Sequence, residues 1–291
     1  MKTRNSFFVA VALCALSSSA AFAFDWPQEQ TASDSFFSYF GQLRGGTISS
    51  SLIFKDNSEI KAAYEGRVTA VITDHSDDFG WFESTLGNAV TVAHKDNLVT
   101  VYANLDDESI PEKLYETKTV ESGEKLGVSG NSGWQEGQSC LEFKVIDTKN
   151  ATVINPRILM PRVGKELPLA VGTLTMDGKD GKSHNLTWER YIPAGVYSLY
   201  RKRQSVAVPY RTSVAINGAT VESISYDTLK ESAGLLCATG NSNYSAQELY
   251  PDAERQLLAI IQLTHGRNTV SVTVTNILGT ATSVTYALDV Y

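Results

Sequence analysis

Histidine is scarce in this chain. The four His among 291 residues stand at 75, 94, 184 and 265, and none forms the His-x-His or His-x-x-x-His spacing that presents paired imidazoles to a metal. Cysteine is scarcer still, with three, so the chain is not a disulfide-built scaffold. Lys and Arg number 25 against 32 Asp and Glu; an acidic balance of this kind does not neutralise phosphates, and no nucleic-acid partner is expected. Beyond the first 23 residues no apolar run approaches the ~18 residues of a membrane-spanning helix. Stretches of helical 3.6-residue periodicity are nearly absent.

What is present is the balance of a globular protein, 42% hydrophobic and 20% charged. Lys2 and Arg4 precede the apolar run Phe7 to Leu16, then Ser17 to Ser19 and Ala21-Phe22-Ala23. That is the shape of a secretory signal, residues 1–23, cut after Ala23. With the signal go Lys2 and Arg4, which takes the net charge from −7 to −9. The remainder is expected to be exported, periplasmic or extracellular. Cys14 lies in the apolar run, but Leu13 is too large for a lipoprotein box. Cys140 and Cys237 fall in different predicted domains and read as two separate buried thiols.

Residues 24–41 read as a lead-in segment. From 42 to 162 short apolar runs alternate with turn signals: Ile60 to Val71, Ala89 to Ala93, Leu98 to Leu105, Leu126 to Val128 and Leu141 to Ile146. Pro156, Pro161, Gly164 and Pro168 mark a boundary. A second series follows over 163–291: Leu169 to Met176, Val196 to Tyr200, Ser213 to Ile216, Thr220 to Ile224, Leu257 to Leu263, Val270 to Thr275 and Ser283 to Val290, with Asn217-Gly218 as a hairpin turn. Only Tyr226 to Ala233 and Ala246 to Arg255 carry a helical pattern. The fold class is all-β, and the second series predicts an immunoglobulin-like β-sandwich. There Tyr197, Tyr200 and Arg201-Lys202-Arg203, with Tyr210-Arg211, put aromatics beside cations, as sandwich edges often do.

In order, the first domain contains Ala62-Ala63-Tyr64-Glu65-Gly66, then Leu86-Gly87-Asn88-Ala89-Val90-Thr91-Val92-Ala93-His94, then Thr100-Val101-Tyr102-Ala103-Asn104-Leu105. Leu126-Gly127-Val128-Ser129-Gly130-Asn131-Ser132-Gly133 and Cys140-Leu141-Glu142-Phe143 follow. This series resembles the lysostaphin-like, LytM-type family of zinc endopeptidases that cut peptidoglycan cross-links, over Thr47 to Pro156. The resemblance implies a LytM-like antiparallel β domain, and a zinc ion held by His, Asp and His with two further His at the chemistry.

All five of those positions are changed here. Counting back from Gly66 puts Thr47 and Ser51 where the family has its His-x-x-x-Asp. Tyr102-Ala103-Asn104-Leu105 stands for Tyr-x-His-Leu, and Cys140-Leu141-Glu142 for His-Leu-His. Zinc is therefore expected to be lost, with no cofactor and no catalytic residue assigned. Thr47, Ser51, Tyr102, Asn104, Cys140 and Glu142 remain as candidate binding residues of a vestigial groove, able to hydrogen-bond a peptide or glycan. Cys140 and Glu142, two apart on a strand, share a face, but no His stands ready to activate the thiol. His94 reads as structural and His75 as part of an acidic surface loop. The reading is a secreted, non-catalytic LytM-like protein that binds peptidoglycan or an envelope partner and regulates a cell-wall hydrolase. The alternatives are an active metalloendopeptidase using Glu142 as a substituted ligand, and an adhesin or assembly module acting through the second domain.

Overall fold

Two-residue turns in the left-handed region set the hairpins. Asn217-Gly218 (φ 52° and 83°) closes the turn its sequence predicts, and Ala233-Gly234 (52° and 79°) closes another. These are the backbone angles whose twist matches paired strands. The computed structural model describes residues 24–29, 32–73, 84–116, 118–133, 139–204 and 207–291. The signal segment, Cys14 and the loop around His75 lie outside them.

The protein is nearly all β, and the two α-helices among the described residues, Lys113–Glu116 and Ala246–Leu249, have four residues each. In the first half, strands Gly66–Ile72, Asn88–Ala93, Leu98–Leu105 and Glu142–Asp147 pair antiparallel in that order. Leu52–Phe54 joins the start of Glu142–Asp147, with Glu142 opposite Ile53, and Thr152–Ile154 pairs along its remainder. The lead-in is packed. Phe24 is buried between the Tyr64 and His94 rings, and the Trp26 indole donates to the Pro161 carbonyl at 2.8 Å.

The second half is a two-layer sandwich. One layer holds Ser183–Asn185, Leu174–Gly178, Gly195–Lys202 and Arg255–Leu263; the other holds Ala281–Val290, Gly266–Thr275, Arg211–Ile216 and Ala219–Ser232. Leu174, Met176, Leu199, Val214, Ile261 and Val272 fill the space between them.

Two expected helices are corrected. Tyr226 to Ser232 belongs to the 14-residue strand Ala219–Ser232, and Ala233 to the turn after it. A register irregularity between Ser225 and Leu229 lets Tyr226 and Leu229, three apart, both point inward, which mimics helical spacing in the sequence. The helix begun at Ala246 stops at Leu249, two residues before Pro251, because the residue preceding a proline disfavours helical backbone. Arg255 opens a strand instead.

The same long strand joins the halves. Val153 sits opposite Leu229 in an antiparallel ladder, so one sheet runs through both. The core follows it: Tyr226, Leu229, Leu249, Tyr250 and Leu257 pack in one cluster with Phe40, Phe54 and Phe143. The Tyr250 hydroxyl donates to the Gly41 carbonyl, and Gly41, at φ 84°, leaves space that a Cβ would take from Val208 and Tyr226.

Candidate functional site

Register builds the site. Glu142 opens its strand between Ala103 on one side and Ile53 on the other, which puts Ser51 at the end of its carboxylate. The Ser51 hydroxyl donates to Glu142 Oε1 at 2.7 Å, and Arg44 Nη1 lies 3.5 Å from Oε2. Ser51 and Glu142 are both buried, at 1% and 8% exposure. Arg44 comes from the small hairpin Leu43–Arg44 and Thr47–Ile48, turned by Gly45 and Gly46 with φ of 54° and 78°. Those angles favour glycine through the backbone alone, because a Cβ at positive φ crowds its own main chain even where, as here, nothing else lies near. Thr47 is exposed on this hairpin, its hydroxyl donating to the Arg44 carbonyl at 2.9 Å.

Asn104 and Cys140 form a second pair. Asn104 adopts φ 65°, a conformation that asparagine tolerates better than most residues. Its Nδ2 donates at 2.7 Å to the carbonyls of both Gly130 and Cys140, and its Oδ1 accepts from the Gly133 amide at 2.8 Å. The Cys140 sulfur is 3.6 Å from the same Nδ2. Burial pushes the thiol above its ordinary pKa, the Asn104 contact opposes this, and the Glu142 charge adds to the rise. A thiol held protonated in this way is a poor nucleophile.

Tyr102 is fully buried and faces elsewhere. Its ring packs on Phe143, and its oxygen accepts from the Ala63 amide at 2.7 Å and from the Thr100 hydroxyl at 3.2 Å. Burial moves its pKa up to about 12. It holds the Ala-Ala-x-x-Gly turn rather than meeting Glu142. Gly66 at the end of that turn is required sterically, because a Cβ there would come 2.6 Å from the Ala93 carbonyl and 2.7 Å from His94 Nδ1. His94 has both ring nitrogens occupied, at 2.8 Å from the Glu65 carbonyl and 2.8 Å from the Thr100 hydroxyl, and burial lowers its pKa.

Of the six candidate positions, the structure joins Ser51 to Glu142 and Asn104 to Cys140. Thr47 stays on the surface and Tyr102 in the core. Arg44 and Lys144 were not among the candidates. Lys144 stands two residues after Glu142, on the same strand face, and burial lowers its pKa while Glu142 opposes that and Arg44 reinforces it. The strand alternation signalled Lys144 in the sequence; nothing signalled Arg44.

This donor set does not fit zinc. It offers one carboxylate, one hydroxyl and a buried protonated thiol, and the carboxylate is already ion-paired with a guanidinium. No group of three His, Cys, Asp or Glu that could hold a metal occurs among the described residues. Beside the buried centre, Thr47 opens onto a cleft of about 290 Å³ lined by Gly46, Ile48, Leu235, Leu236 and Gln247, with no ionisable side chain. In the second half the expected aromatic and cationic groups disperse. Tyr197 and Arg201 are buried, and Arg255 rather than a neighbour covers Tyr200, at 4.8 Å.

Residues 50–156 match the family described as Peptidase family M23, and residues 168–291 match a second family without a description. A protein of Treponema pallidum (strain Nichols), described as uncharacterized, is 33% identical over 139 residues, 45% of this chain and 92% of that protein. Among solved structures, the catalytic domain of the prophage-encoded M23 protein EnpA from Enterococcus faecalis is 24% identical over 42% of this chain and 88% of its own, with a TM-score of 0.34. A complex of SpoIIIAH and SpoIIQ is 18% identical over 46% of this chain and 97% of its own, with a TM-score of 0.36.

Proposed function

We propose that this chain, whose residues 50–156 match peptidase family M23, is an exported, non-catalytic LytM-like protein of the cell envelope in which the family's metal-holding and catalytic positions are substituted. It acts by binding, to peptidoglycan or to an envelope protein, and through that binding regulates a cell-wall hydrolase. One observation carries the reading: the Glu142 carboxylate, at the position of the family's last ligand, takes a hydrogen bond from Ser51, at the position of the second, and an ion pair from Arg44. Two places that would converge on a metal bond each other. A cation that cannot be displaced by deprotonation stands beside them.

The buried candidates, Ser51, Asn104, Cys140 and Glu142, preserve the shape of the domain, and exposed Thr47 with its uncharged cleft is the accessible part. An acidic exported chain gains little from charge at an anionic wall, so binding rests on shaped contacts. No described helix is long and apolar enough to cross a membrane.

The test incubates the whole purified protein with purified sacculi and measures muropeptide release, co-sedimentation and tightly bound zinc. The expected outcome is co-sedimentation, or capture of an envelope protein, without muropeptide release and without stoichiometric zinc. Release that disappears in Glu142→Ala would establish the endopeptidase instead. The two halves should not be assayed separately, because cutting between them exposes Tyr226, Leu229 and Tyr250.

A further inference from the structure

The last strand, Ala281–Val290, forms one edge of the long sheet. It pairs residue for residue with Gly266–Thr275 over its whole length, with no bulge. On its other side the only described partner is the two-residue strand Tyr191–Ile192, opposite Asp289 and Val290. Residues 281–288 therefore present an open edge among the described residues. Asp289 and Tyr291 donate from that side to the Arg190 and Ile192 carbonyls, at 2.8 and 3.1 Å. Strand alternation then turns the N–H and C=O of Ala281, Ser283, Thr285 and Ala287 to the same side.

Soluble proteins blunt such edges with charge, proline, bulges, short strands or a covering segment. Here Ala-Thr-Ser-Val-Thr-Tyr-Ala-Leu has no charge, no proline and no glycine, and it is rich in residues that favour strands. Left open, it is a segment of the kind that aggregates.

We infer that this edge is covered by the same edge of a second copy of the chain, making a two-fold dimer with one sheet continuous through both. The edge is self-complementary. With the dyad at Val284, Ser283 lies opposite Thr285 of the second copy and Ala281 opposite Ala287, so about eight backbone hydrogen bonds form and no like charges oppose each other. Hydroxyl pairs already run across this outer face, Thr273 with Ser283 and Ser271 with Thr285, each at 2.8 Å. The dimer continues that row.

The ends of the edge match as well. Leu278, 53% exposed, precedes the strand, and Tyr191 and Tyr291, 68% and 51% exposed, stack at 4.2 Å beyond its other end. Antiparallel pairing carries Leu278 of each copy toward the tyrosine stack of the other. Three of the eight large hydrophobic side chains exposed among the described residues, Leu278, Tyr191 and Tyr291, flank this edge. That concentration favours a second copy over a strand of arbitrary sequence.

The test is the mass of the whole purified protein in solution, by sedimentation or light scattering, for the parent, Thr285→Pro and Thr285→Lys. The Thr285 amide faces the open side, so proline there leaves the Gly266–Thr275 ladder intact, and lysine places its charge on an outer face without touching the core. The parent should be a dimer, Thr285→Pro a monomer, and Thr285→Lys should dissociate at least about tenfold more readily. A parent that stays monomeric up to about 100 μM overturns the inference, as does a dimer or larger assembly that both substitutions leave unchanged. Should the proline variant fail to fold, the lysine variant decides.

Discussion

Replacing Glu142 by alanine tests the reading of the site most directly. The carboxylate is hydrogen-bonded by a buried hydroxyl and paired with a guanidinium, the charged side chains being 10% and 26% exposed. A hydrogen bond to a charged group contributes about 1.5–3 kcal/mol net, and the partial exposure of Arg44 reduces what the ion pair adds. Removing the carboxylate also leaves Lys144 without the charge that supports its protonated form. The expected cost is about 2–3 kcal/mol, which at about 2–4 °C per kcal/mol for a chain of this size lowers the melting temperature by about 5–10 °C. Glu142→Gln keeps an acceptor for Ser51 and should lose only about 1 kcal/mol. A carboxylate waiting for a metal behaves otherwise: its removal relieves a desolvated charge in the metal-free protein, and zinc stabilises the parent by mass action. Calorimetry on the parent and both variants, with EDTA and with added zinc, separates the cases. If Glu142→Ala melts at or above the parent, or EDTA lowers the melting temperature of the parent, the account of the Ser51–Glu142–Arg44 cluster is refuted.

Stability should fall as pH drops below about 6.5, the ordinary histidine value, because burial lowers the pKa of folded His94 and the unfolded chain binds the proton first; urea midpoints from pH 7 to 5 should show this slope, flattened in His94→Gln. Leu229→Ala should cost about 2–5 kcal/mol and lower a single calorimetric transition, since Leu229 sits in the shared core at the joint between the halves, and two separate transitions would contradict that coupling. Arg201 is buried with Nη1 on the Ala170 carbonyl at 3.2 Å, and burial lowers its pKa. Arg201→Met should therefore be neutral or stabilising by about 1–4 kcal/mol in chemical denaturation, and a loss above about 3 kcal/mol would show that the guanidinium is better satisfied than its contacts indicate.

The cysteines behave as their sequence context implies: both described cysteines, Cys140 and Cys237, are free and buried. Strand positions were also readable. Leu98 to Leu105 and Asn217-Gly218 are where apolar runs and turn chemistry put them, because period-two patterning and positive-φ residues act within a few residues of themselves. Tyr226 to Ala233 misled for a related reason, since a bulge gives two inward residues the spacing of a helix face.

The amino-acid sequence by itself determined the all-β character and the hairpin turns, which are local in the chain, and it carries Thr47, Ser51, Asn104, Cys140 and Glu142 where the family resemblance implies ligands and catalytic groups. Tertiary structure alone decided what those residues meet. Ser51 and Arg44 reach Glu142 from 91 and 98 positions away, through pairings between distant strands that no local pattern encodes. It decided too that Val153 and Leu229 join the halves in one sheet, and that residues 281–288 have described neighbours on one side only. Pairing between distant strands depends on which surfaces the whole chain can bury at once, and a linear pattern records only which residues are able to take part.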